Sequence, residues 1–156
     1  MSCPATPFAI ANAWAYAFTQ DEMLAAWAQR VFGRAFFVQI GADMRRLPDS
    51  ENTPFLLLFP ETSVTGPQRD TVEAEVGIVA GIEDGGLEPD ENGITVMSGL
   101  VRLNELCPLL ESAMRNALPK ARLQGVSTEF VIMQYPLCEA FITVTVEHEL
   151  PAGSRF

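Results

Sequence analysis

The chain has 156 residues, of which 48% are hydrophobic and 19% charged. That length and composition suit one folded domain with a core of its own, and exclude a largely disordered chain. A formal net charge of −10 opposes attraction to nucleic-acid phosphates and argues against ordinary DNA or RNA binding.

Residues 8–18, FAIANAWAYAF, alternate large apolar side chains with small ones. The spacing is compatible with a strand, an extended arm or, given the alanines, a helix. Trp14 and Tyr16 are candidate subunit contacts if this stretch packs on a neighbour, the alternative being burial in the chain's own core. Thr19-Gln20-Asp21-Glu22 then reads as a capping box, with Thr19 as the N-cap and Glu22 reaching back to it. Met23, Leu24, Trp27 and Val31 make an apolar stripe, and Gly33 is the stop signal.

Strands follow. Phe36 to Ile40 is short and apolar, and Phe55 to Phe59 is a continuous apolar run between Pro54 and Pro60, expected as a central strand buried on both faces. From Val72 to Ile82 the alternation is clean: Val72, Ala74, Val76, Ile78, Ala80 and Ile82 face one way, and Glu73 and Glu75 begin the other face. Residues 83–93, EDGGLEPDENG, form an acidic turn-rich loop before Ile94-Thr95-Val96-Met97, which predicts a long hairpin with these two strands as antiparallel neighbours.

Leu106, Leu109, Leu110, Ala113, Met114, Ala117 and Leu118 repeat at helical spacing, predicting a second helix from Asn104, its cap, to Leu118, with Pro108 in the first turn and Pro119 as terminator. A closing hairpin runs from Phe130 to Glu149 around a turn at 136–139, with Ile142, Val144 and Val146 toward the core and Thr143, Thr145 and Glu147 outward. Residues 151–156 form a short tail. The expected architecture is a single α+β domain, a mostly antiparallel sheet with two helices packed on one face.

Little in the chain points to chemistry. The only histidine, His148, lies between two glutamates and reads as an ordinary surface or rim residue. A pairing with Cys107 or Cys138 lacks any supporting signature. Cys3, Cys107 and Cys138 are odd in number and far apart, as in a reducing compartment. Asp90-Glu91-Asn92-Gly93 misses the register of a calcium loop, and no glycine pattern resembles a phosphate-binding loop. No catalytic residue, metal site or cofactor is expected. A secretory signal reads poorly, because no Lys or Arg precedes Arg30 and Asn12 interrupts the apolar stretch. No run approaches the roughly 18 apolar residues of a membrane span, so the expectation is a cytoplasmic protein.

The charge is concentrated. Residues 51–93 carry ten acids against Arg69 alone, while residues 1–50 balance four acids with four bases.

Taken together, the helix Asp21–Trp27, the strand Pro54–Phe59, the alternating strand Glu75–Ile82, the helix Leu103–Leu118 and the closing Phe141–Val146 resemble the tail terminator (tail completion) proteins of long-tailed phages and prophages. The resemblance lies in the order and texture of elements, and no residue role of the family transfers with it. It implies a self-assembling ring, usually a hexamer, that caps the tail tube and joins it to head-completion proteins, in the host cytoplasm and then in the virion. An acidic lumen would let DNA slide without sticking. Glu73, Glu75, Glu83, Asp84, Glu88, Asp90 and Glu91 are the candidate lumen or docking-loop residues. The alternative is a small-molecule or peptide-binding α+β module, which would need a well-formed concave pocket.

Overall fold

The computed structural model describes residues 6–64 and 71–149. The tail at 151–156, the turn at Gly66-Pro67 and the first five residues of the N-terminal stretch lie outside the described residues.

Residues 8–18 are helical, within α1 (Pro7–Gln20). Thr6 caps it, its hydroxyl accepting from the Ala9 amide at 3.0 Å, and Pro7 occupies the first turn, where its missing N–H costs nothing. The strand and arm alternatives fail because Ile10, Trp14 and Phe18 are also spaced by four. On a helix they form one stripe with Ala11 and Ala15, and all five are buried. Tyr16 falls on the opposite side and stays exposed, and Phe8, in the first turn, is exposed as well.

The next helix, α2 (Glu22–Phe32), is where the sequence places it, but its cap is Asp21. The chain is still helical at Thr19, whose hydroxyl donates back to the Tyr16 carbonyl at 2.7 Å. Asp21 is the first residue with the extended backbone an N-cap requires, and its carboxylate accepts from the Leu24 amide at 2.9 Å. Gly33 ends α2 at φ 70°, a left-handed conformation that costs other residues a Cβ clash. Trp27 stacks on Phe36 with ring centroids 5.9 Å apart, joining α2 to the strand that follows.

That strand is β1 (Phe37–Ile40), which runs parallel to β2 (Phe55–Val64). Then come β3 (Thr71–Glu83), the short pair β4 (Leu87–Pro89) and β5 (Thr95–Met97), α3 (Ser98–Ala117), β6 (Arg122–Gln134) and β7 (Leu137–Glu149). The main sheet has the order β1-β2-β3-β7-β6, antiparallel apart from its first pair. β5 does not pair with β3. It pairs with β4 as a separate two-stranded ribbon, because both edges of β3 are already occupied by β2 and β7.

α3 begins six residues before the expected Asn104, straight after Met97, and no side chain caps it. Pro108 therefore lies inside the helix, where it forgoes the hydrogen bond to the Asn104 carbonyl. Burial of Leu103, Leu106, Leu110, Ala113 and Met114 holds the helix regardless of that loss.

All three helices, not two, lie on one face of the sheet. Leu56, Leu58, Val76, Ile78, Ala80, Ile82, Ala140, Ile142, Val144 and Val146 meet the buried stripes of α1, α2 and α3 in one core. On the other face Phe55, Leu57, Val79 and Leu137 form a small second cluster, covered by Ala42, Leu47, Phe59 and Phe141. That cover reaches only one end of the face. Among the described residues no helix is long and apolar enough to cross a membrane.

Candidate functional site: an acidic, helix-free sheet face

The period-2 alternation of β3 and β7 sends Glu73, Glu75, Glu147 and Glu149 to the face without helices. Their register is direct: Glu73 lies opposite Glu147, Glu75 opposite Thr145, and Thr71 opposite Glu149. On the other side of β3, β2 bulges between Pro60 and Ser63, and that irregularity brings Glu61 to Glu75. Five carboxylates therefore share one end of this face. Like charges opposite one another in a sheet are destabilising, so the patch is a cost the fold carries.

Only part of that repulsion is relieved. Arg122 on β6 approaches Glu147 at 3.3 Å, and the Gln124 amide donates to the same carboxylate at 2.6 Å. Glu61 has no cation beside it among the described residues. Desolvation first, then the hydrogen bond and repulsion from Glu75, push its carboxyl above the ordinary carboxylate range.

The seven acids expected to form one lumen or docking surface divide into two groups. Glu73 and Glu75 belong to the sheet face. Glu83 closes the far end of β3, about 26 Å of strand away from Glu75. Asp84 and Asp90 are engaged in building turns. Asp84 accepts from the Ser98 hydroxyl at 2.6 Å and the Gly86 amide at 2.8 Å, tying the loop to the start of α3. Asp90 accepts from the Asn92 and Ile94 amides, each at 2.9 Å, which shapes the β4–β5 turn. Glu88 and Glu91 are exposed on that ribbon. Of the two candidate subunit contacts, Tyr16 is exposed and Trp14 is fully buried against the core, so Trp14 offers no contact surface.

His148 is not a surface or rim residue. It is 4% exposed, and neither ring nitrogen has a hydrogen-bond partner among the described residues. A pair with Cys138 is excluded, since the two lie at opposite ends of β7, about 33 Å of strand apart. Cys107 lines a groove beside Ile142, about 20 Å of strand from the histidine. Burial raises both Cys107 and Cys138 above the ordinary thiol range, with Asp84 adding to the effect at Cys138, which makes neither a ready nucleophile. Among the described residues no three His, Cys, Asp or Glu side chains are grouped to hold a metal ion.

Glu139, expected in the turn at 136–139, lies instead within β7, paired on both sides. It lies on the helix-free face opposite Gly81, 5% exposed, with Oε2 unpartnered, and burial lifts its carboxyl above the ordinary range. Two shallow grooves have apolar linings. One, about 220 Å³, runs between α3 (Cys107, Pro108, Met114) and β6 (Val126, Thr128, Phe130). The other, about 170 Å³, lies over Gly77 between Met44, Phe59 and Phe141.

No protein-family model matches the chain, and no curated protein sequence matches it either.

Proposed function

We propose that this protein is a structural assembly protein of a phage or prophage tail, closing as a ring, of hexameric type, on the tail tube and joining it to head-completion proteins. The observation that carries the reading is the helix-free face of the sheet, where Glu61, Glu73, Glu75, Glu147 and Glu149 share one end with Arg122 as the one close cation among the described residues. A fold that carries such self-repulsion, relieved only at Glu147, suits a surface whose use is the field itself. Turned toward the opening of a ring, that field repels phosphate and lets a duplex pass without adhering. Glu83, Glu88 and Glu91, on a separate part of the molecule, suit a docking role toward the tail tube or head instead of the lumen.

The ligand-binding alternative has less support. The two grooves with apolar linings, about 220 and 170 Å³, fall below the roughly 300–1,000 Å³ of small-molecule sites, and a hollow of about 420 Å³ at Asp43, Arg45 and Arg46 has no apolar side chain in its lining.

Light scattering across concentration and salt, followed by electron microscopy of the largest species, tests the proposal. A closed ring with Glu73 and Glu75 lining its opening is the expected result. A ring with both residues on its outer wall, or a strict monomer even in the presence of tail tubes, rejects it.

A further inference from the structure

The long edge strand β6 presents a second, unrelated surface. Gln124 to Phe130 are exposed without interruption, although β6 pairs with β7 along its inner side. The helices lie mainly over β2, β3 and β7, and of β6 only its ends, at Leu123 and Ile132, pack against the helix-side core. Val126, Thr128 and Phe130 point to the helix side of the sheet and find the wall of α3 at Cys107, Pro108 and Met114, with an open groove between. Val126 and Phe130 are 38% and 41% exposed. A long edge with apolar side chains, paired to no further strand among the described residues, is a template for another strand.

What would pair with it is written into the strand. Its ladder with β7 is irregular between Leu123 and Gly125 and again between Val131 and Gln134. Between the two irregularities lies one regular stretch, Gly125–Val131, whose middle residue is Thr128. A two-fold axis beside Thr128 places an antiparallel copy of this stretch on the free edge, with no residue left over at either end. Across that axis each Val126 meets the Phe130 of the second copy on the helix side, and Thr128 meets Thr128. On the other side Glu129 meets Ser127, and Val131 meets Gly125. Two apolar pairs form on the helix side, and no like charges are opposed. The groove rim is also neutral, since Glu111 is already held by Arg115 at 2.7 Å. The bulges at both ends turn the strand away from longer pairing, which limits the contact to this stretch.

We infer that β6 is a self-recognition edge, on which a second copy of this chain pairs antiparallel through Gly125–Val131 about Thr128, joining two five-stranded sheets into one. The contact is isologous and closes after two copies. It is therefore distinct from the head-to-tail contact that a ring requires, and it does not depend on the ring proposal.

Disulfide trapping at the axis tests it. In a background with Cys3 and Cys107 replaced by serine, Thr128→Cys puts two thiols opposite each other at the antiparallel Cα spacing of about 4.5–5.5 Å, within disulfide reach. Gln124→Cys, also at an exposed position, lies far from its own copy in this register. Mild oxidation should link most of the Thr128→Cys protein into covalent dimers and leave Gln124→Cys unlinked. In the uncrosslinked protein, Thr128→Lys sets two ammonium groups opposite each other and should weaken dimerisation by about tenfold in sedimentation equilibrium. Equal crosslinking of the two cysteine variants, no crosslinking of either, or a dimer indifferent to Thr128→Lys overturns the assignment. A wild-type protein that stays monomeric throughout does the same, and would leave the edge to a strand from another protein.

Discussion

The ring of Phe55 lies directly over Gly81, its partner across the β2–β3 ladder, and fills the space that a Cβ at residue 81 would need. Phe55 is fully buried in the small cluster on the helix-free face and has no room to withdraw. Gly81→Ala should therefore destabilise the protein by about 1–3 kcal/mol through overpacking. Gly125→Ala is the control, because nothing lies within 4 Å of a Cβ there. Urea midpoints of the two variants check the prediction, and equal midpoints would refute it.

Trp14 and Tyr16 are two residues apart and have opposite fates. Trp14→Ala empties a fully buried site between helices and sheet, and should cost about 3–5 kcal/mol. Tyr16 is 69% exposed, so Tyr16→Ala should change stability by less than about 0.5 kcal/mol. Thermal or urea unfolding of the isolated variants distinguishes the two. A large loss at Tyr16 in dilute solution would show that its ring is covered by something beyond the single chain.

The joint between the first two helices gives another paired test. Asp21→Ala removes the carboxylate that accepts from the Leu24 amide and should cost about 1 kcal/mol. Thr19→Ala removes only a hydroxyl that donates back to its own helix, and should be close to neutral. A larger loss at Thr19 than at Asp21 would restore Thr19 as the cap.

Glu139 and Glu61 predict a pH dependence with a definite sign. Burial raises Glu139, and burial followed by the influence of Glu75 raises Glu61. A carboxyl with a higher pKa folded than unfolded holds its proton more tightly in the fold. Its ionisation therefore erodes stability as the pH climbs from the unfolded value through the folded one. Glu139→Gln should gain stability relative to the wild type as the pH rises from below about 4 to neutrality, where the wild type carries the full penalty. Glu61→Gln should move in the same direction by less, because its carboxylate is exposed and screened. Urea midpoints of each variant at acid and neutral pH measure it. An advantage that shrinks with rising pH would contradict the assignment.

Periodicity and punctuation made much of the fold legible. The stripe of Leu106, Leu110, Ala113 and Met114, the αL glycine at Gly33, and the alternations of β3 and β7 depend on spacing along one segment, which local chain geometry dictates. The outward direction of Glu73, Glu75 and Glu147 was readable for the same reason. Where two periods fit one stretch, as with Ile10, Trp14 and Phe18, spacing alone was neutral, and the decision fell to the core that buries them as a helical stripe.

Other features were settled only by tertiary structure, because they depend on which segments meet. Nothing within β3 or β7 states that Glu73 will face Glu147, or that a bulge in β2 will bring Glu61 to Glu75. The pairing of β7 with β3 excluded β5 from the sheet, and so parted the loop acids from the sheet acids. It also buried His148, which its two glutamate neighbours had made look exposed. Composition and local pattern determined an acidic α+β chain with its charge concentrated in residues 51–93, part of it on one strand face. Long-range strand order decided where that face lies and which carboxylates share it, since a strand's neighbours are chosen by the whole core and not by its own sequence.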